Sequence, residues 1–183
     1  TEEKWPEIFK GIQKQVAAGN WEIVGGRVCE GDEHMISAES HARHFLYGQR
    51  YFREKFGKSA VVGWEPDTFG HTWQMPQILK LGGCDSFYFC RGGRGAPLFW
   101  WESPDGSRVL AFEEPATGGW YNGQDINGKL FDRLFNFEST VGSRDMLWVY
   151  GVGNHGGGPT RENIEQALDW QKKPYLPNVK FST

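Results

Sequence analysis

No stretch of this 183-residue chain approaches the roughly 18 consecutive apolar residues of a membrane-crossing helix, so no such helix is expected. Charge of one sign is also in short supply: 20 Lys and Arg against 23 Asp and Glu leave a formal net charge of -3 and a pI near 6.0. That balance offers no basic face for nucleic acid or an anionic membrane surface, and neither partner is expected. Cysteine is scarce. Cys29, Cys84 and Cys90 make an odd number without metal-ligand or disulfide-framework spacing, which points to a reduced, cytoplasmic setting. Internal repeats, low-complexity tracts and linkers are missing, so the chain reads as one domain or one piece of a domain. An initiating Met and an apolar leader are missing as well, because Thr1-Glu2-Glu3-Lys4 runs directly into a helical pattern; the expectation is the middle of a longer polypeptide.

Tryptophan and glycine are what the chain has in excess, with 9 Trp in an aromatic fraction of 15% and 25 Gly. Such a composition suits either an aromatic-rich core or rings lining a pocket between sharply turning loops. Apolar spacing predicts helices over 6–18, from Pro6 to the Gly19-Asn20 stop, and from the Ser37 cap to Gly57. Further helices are predicted over 73–81, 127–137 and 160–170. Strands are predicted over 21–28, 59–64, 86–90, 146–152 and 178–181, with a hairpin of 98–101 against 108–112 around Asp105-Gly106, which supplies the positive φ angles of a tight turn. Strands alternating with helices imply βαβ units, hence an α/β class with a mainly parallel sheet and flanking helices, as part of an α/β barrel or an open doubly wound sheet.

In parallel α/β folds ligands sit beyond the carboxyl ends of strands, so acidic residues just after a strand are the first candidates. Three segments qualify: Cys29-Glu30-Gly31-Asp32, Trp64-Glu65-Pro66-Asp67-Thr68-Phe69-Gly70-His71, and 153–159 with Asn154-His155. In the middle one Pro66 fixes its own φ and biases Glu65 toward an extended conformation, so Asp67 is presented at the tip of the strand, and Gly70 permits a sharp turn. A carboxylate held that way can attack, can bind a metal, or can simply cap a turn.

The residues 64–71 just quoted, followed by Met75-Pro76-Gln77-Ile78-Leu79-Lys80 and Gly83, resemble the signature of glycoside hydrolase family 38 α-mannosidases. The resemblance continues through Gly19-Asn20-Trp21-Glu22, Gly25-Gly26, Glu30 with Asp32, Ala38-Glu39-Ser40 and Tyr47-Gly48-Gln49, then Asp105-Gly106-Ser107 and Tyr150-Gly151-Val152-Gly153 through Pro159-Thr160. It implies that residues 1–183 are the central portion of a catalytic domain built on a (β/α)7-type barrel. The implied substrate is a mannose-containing oligosaccharide or glycan, the implied cofactor one zinc ion per active site, and the full-length protein a homo-oligomer. Asp67 would be both nucleophile and metal ligand, with Phe69 lining the sugar pocket.

The implied chemistry is hydrolysis of terminal α-mannosidic linkages with retention, through a covalent glycosyl-enzyme intermediate on Asp67. Such a mechanism needs a general acid. Many family members have an Asp in the segment matching 153–159, where this chain has Asn154-His155; His155 is the candidate acid or base, with a structural histidine between glycines as the alternative. Glu30 and Asp32 are candidates for sugar hydroxyls, Arg91 for substrate or for orienting a carboxylate, and Trp120 with Tyr121 for stacking on a sugar ring. Glu113-Glu114 reads as a solvated charge run, and His41 and His44 as surface or packing residues. The family's other zinc ligands, a His-x-Asp pair and a distant His, are not visible, so the remaining ligands are expected outside this chain and the chain alone is expected to be inactive. Two other readings compete: a metal-dependent enzyme such as a deacetylase on a related barrel, which would need histidines on a common face, and a non-catalytic mannoside-binding module, whose affinity would survive Asp67→Asn.

Overall fold

The computed structural model describes residues 1–122, 126–153 and 157–182. Its contacts divide into two compact units, one of Thr1–Gly92 with Phe99–Phe112 and one of Gly93–Leu98 with Glu113–Ser182.

In the first unit, helix α1 (Pro6–Ala18) starts on a proline and ends at Gly19, as its sequence pattern dictates. It packs on helix α2 (Ala38–Phe56) through Phe9 and Phe56, with ring centroids 5.5 Å apart, and through Gln13 Nε2 donating to the Lys55 carbonyl at 2.7 Å. The Ser37 hydroxyl accepts from the Ser40 N–H and caps α2, whose last turn closes on Gly57. Strand β1 (Val62–Glu65) pairs in parallel with β2 (Ser86–Phe89), from Val62 opposite Ser86 to Glu65 opposite Phe89. Helix α3 (Met75–Leu81) makes the crossover between them. Strands β3 (Leu98–Glu102) and β4 (Arg108–Glu113) form the predicted hairpin, and the four-stranded sheet has the order β1-β2-β4-β3. Five residues separate the strands, one fewer than the predicted bounds leave, and among them only Gly106 takes positive φ, while Asp105 Oδ1 accepts the Ser107 N–H. Phe45 of α2, Met75 and Leu79 of α3, Phe87 and Phe89 of β2 and Val109 and Ala111 of β4 form the buried core, each large side chain contributing about 1.5–3 kcal/mol of apolar burial.

The second unit holds a short 3-10 turn (Glu114–Thr117) and helices α4 (Lys129–Val141) and α5 (Arg161–Trp170), the latter capped by Thr160 and Asn163 in a reciprocal capping box. Ile126, Leu130, Ala167 and Trp170 make its core, with Trp148, Tyr150, Leu176 and Val179 against it.

Three predicted strands are corrected. Residues 21–28, 146–152 and 178–181 have no ladder partner among the described residues. In the first, Gly25 and Gly26 take φ of 87° and 75°, which interrupts an extended run after the one bond from the Gly25 N–H to the Val62 carbonyl. In the other two, apolar residues serve packing, since a strand requires a neighbour as well as an apolar pattern. The architecture is therefore mixed α/β with one four-stranded sheet and flanking helices, and five parallel strands in an arc are not present among the described residues. No helix among them is long and apolar enough to cross a membrane.

Candidate active site

Asp67 stands two residues beyond β1, as Pro66 suggested. Gly70 takes φ 119°, and a Cβ there would meet Nε2 of His34 at 2.8 Å, so the turn after Phe69 requires glycine. Arg91, two residues past β2, reaches across to the carboxylate: its Nε donates to Asp67 Oδ1 at 2.6 Å and its Nη2 lies 2.5 Å from the same oxygen. The guanidinium sits 4.2 Å from the centroid of the Phe69 ring, and Phe69 as a whole is 75% exposed. Asp67, Phe69 and Arg91 thus form one cluster at the carboxyl ends of the parallel pair, with Phe69 exposed and the ion pair half-buried.

Glu30 joins the cluster from behind. Its Oε1 accepts from the Asp67 N–H at 2.6 Å, the Thr68 N–H at 2.8 Å and the Thr68 hydroxyl at 3.1 Å. That carboxylate is a clamp on the turn that presents Asp67. Asp32 likewise serves its own loop, its Oδ1 accepting the His34 and Met35 N–H groups at 3.0 and 3.2 Å.

Beneath the cluster lies a buried polar network around Arg27 and Glu33, two residues that no motif or spacing in the sequence marks. Arg27, Glu33, His41 and Glu65 are each less than a tenth exposed. Arg27 Nη1 donates to Glu65 Oε1 and, at 3.3 Å, to Glu33 Oε1. His41 Nε2 faces the Glu33 carbonyl at 3.3 Å and its Nδ1 faces Arg27 Nη2 at 3.3 Å. A carbonyl only accepts and a guanidinium only donates, so His41 is a neutral ring with its proton on Nε2. Burial, the main cause, holds its pKa below the usual histidine value and agrees.

His71 follows the same logic with a different result. Its Nε2 faces the Arg91 carbonyl at 3.1 Å and must donate, which leaves Nδ1 3.1 Å from Glu33 Oε2. A bare nitrogen against a bare carboxylate would repel, so one proton lies between them. Burial lowers His71 and raises Glu33, which brings the two closer in proton affinity, so that proton is shared between them. Burial also raises Glu65, to about 8, with Glu33 reinforcing the shift. The buried guanidinium needs one ionised partner, so the two carboxyls share one proton and one negative charge between them.

Glu33, Glu65 and His71 place ligand atoms within 4.8 Å of one another, the spacing of a metal cluster. Arg27 already brings a cation to both carboxylates, and the geometry is that of an ion-pair network. Asp67 does not belong to this group, and among the described residues no set of His, Cys, Asp or Glu with metal-ligand spacing includes it. A single carboxylate supplies one of the three or four protein ligands zinc uses, so these residues do not by themselves make a zinc site.

Trp120 and Tyr121 belong to the second unit, after Gly118, with ring centroids 5.6 Å apart. His155 lies outside the described residues. The solvated reading of Glu113-Glu114 is overturned: the two are 4% and 1% exposed, and Glu113 accepts the Arg94 N–H at 2.6 Å and the Gly95 N–H at 3.0 Å, stapling that loop. Loop backbone donors leave no trace in side-chain spacing, so sequence gave no hint of this.

The sequence profile of the glycosyl hydrolases family 38 N-terminal domain matches residues 1–183. The chain belongs to this family. It is 33% identical to alpha-mannosidase G of Dictyostelium discoideum, over 100% of this chain and 17% of that protein, and 31% identical to human alpha-mannosidase 2C1, over 98% and 18%. A putative mannosylglycerate hydrolase of Halalkalibacterium halodurans is 34% identical over 98% of the chain and 21% of its own length. Among solved structures, an alpha-mannosidase from Enterococcus faecalis V583 superposes with a TM-score of 0.77 at 25% identity, covering 99% of this chain and 22% of that one. The chain therefore spans about a fifth of the length of the family 38 relatives it matches.

Proposed function

We propose that this chain is the central portion of the catalytic domain of an α-mannosidase that hydrolyses terminal α-mannosidic linkages with retention of configuration. The observation that carries the proposal is the Asp67 carboxylate, presented beyond β1, gripped by Arg91 and locked by Glu30 through its own N–H. An attacking oxygen needs restricted rotation and an ionised state, and the two charge-assisted contacts from Arg91 favour both. Asp67 bonds to the anomeric carbon as the bond to the departing oxygen breaks, that oxygen takes a proton from a general acid, and water then releases the sugar. His155 remains the proposed acid, and the exposed Phe69 ring the proposed apolar contact for the sugar. The (β/α)7-type barrel stays a proposal for the whole domain. Zinc is proposed with Asp67 as one ligand and the others supplied from outside the described residues; no step above is routed through it.

The experiment is release of nitrophenol from an aryl α-mannoside by the full-length protein. Asp67→Ala is expected to lower kcat by at least about three orders of magnitude, as removal of a nucleophile does. Undiminished turnover would take the role away from Asp67. A mannosylglycerate arm tests the narrower substrate named for one relative.

A further inference from the structure

We infer that His71, with Glu33 behind it, is a positioning residue for the reaction proposed above: it fixes the backbone at Arg91 and so the guanidinium that holds Asp67. The inference rests on that reading of Asp67. Arg91 lies beyond the last paired residues of β1 and β2, Glu65 opposite Phe89, so the ladder does not set the direction of its carbonyl. The His71 Nε2–H does, at 3.1 Å. The ring cannot swing away, because it meets Phe87 and Phe89 edge-on at 5.3 and 5.1 Å and its far nitrogen is engaged by Glu33. Glu33 is itself held on every side: Arg27 Nη1 contacts Oε1 at 3.3 Å, the Thr72 N–H donates to Oε2 at 3.3 Å, and His41 holds its main-chain carbonyl. A continuous path of hydrogen bonds therefore runs from Arg27 through Glu33 and His71 to Arg91, and ends at the Asp67 oxygen.

An aromatic ring of similar size could do the packing alone, so the hydrogen bonds are the separable part. In the full-length protein, His71→Phe keeps the ring and removes both bonds. It is expected to lower kcat for an aryl α-mannoside by about 10- to 100-fold, with KM changed by no more than about threefold. Glu33→Gln, whose amide can donate to Nδ1 and so keep the bond, is expected to stay within about fivefold of the parent, while Glu33→Leu falls as far as His71→Phe. Melting temperatures are measured alongside to confirm that each variant is folded at the assay temperature. A folded His71→Phe with the parent kcat would overturn the inference, as would Glu33→Gln falling level with Glu33→Leu. Should His71→Phe not fold, the Glu33 pair decides by the same comparison. Loss of turnover in Asp67→Ala with no change in the His71 and Glu33 variants sinks only this inference; turnover unaffected by Asp67→Ala sinks the reading beneath it.

Discussion

At the scale of single residues, the site depends on how rigidly a few polar atoms are held. Glu30 uses one oxygen to accept three donors of the 67–68 turn, a task that the amide oxygen of glutamine can also perform. Glu30→Gln is therefore expected to retain most activity and Glu30→Ala to lower kcat by on the order of tenfold, read in the same mannoside assay. The buried network adds a pH dependence with two limbs. The Glu33 and Glu65 carboxyls are raised above their ordinary 4.5, Glu65 to about 8, so their contribution to stability is full below 4.5 and is lost as pH rises through their raised values, about 8 for Glu65. His41 and His71 are lowered from 6.5, so their contribution is present above 6.5 and is lost as pH falls through their depressed values. Denaturant midpoints measured across pH should accordingly peak in the mildly acidic to neutral range. Glu33→Gln, which cannot titrate, should flatten the alkaline limb, and an unchanged limb would show that the proton is not held by this pair.

At the scale of elements, the network exists because α2 comes unusually close to the segment that carries Arg27. A Cβ on Gly48 would lie 2.5 Å from the Gly26 carbonyl oxygen and 2.6 Å from the Arg27 carbonyl carbon, both backbone atoms that cannot step aside. Gly48→Ala gains helix propensity and still is expected to destabilise the fold by about 1–3 kcal/mol, visible as a lower melting temperature. It should also lower kcat, since Arg27 would move with the backbone. The elements themselves were readable where local rules decide them. Helices α1, α2 and α5 begin where Pro6, Ser37 and Thr160 put them, and α1 and α2 end at Gly19 and Gly57, because caps act within a few residues. The predicted strands over 146–152 and 178–181 show the opposite case. Their apolar pattern is met by packing around Trp170, and no neighbour among the described residues completes a ladder.

At the scale of the whole molecule, the chain spans about a fifth of the length of the family 38 relatives it matches. Elemental analysis of the 183-residue chain after dialysis should find zinc far below one ion per chain, because Asp67 offers one ligand where about three or four are needed. Tight one-to-one binding would mean that the chain contains a zinc site after all.

The sequence by itself determined the family, the helices and the turn that offers Asp67, because a signature run, caps, prolines and glycines act over short distances along the chain. Only the tertiary structure decided that Glu30 and Arg91 converge on Asp67, and that Arg27, Glu33, Glu65, His41 and His71 form one buried network beneath it. Those partners lie up to 38 residues apart, and what joins them is the close approach of α2 and the crossover through α3, a geometry that has no signature in residue spacing.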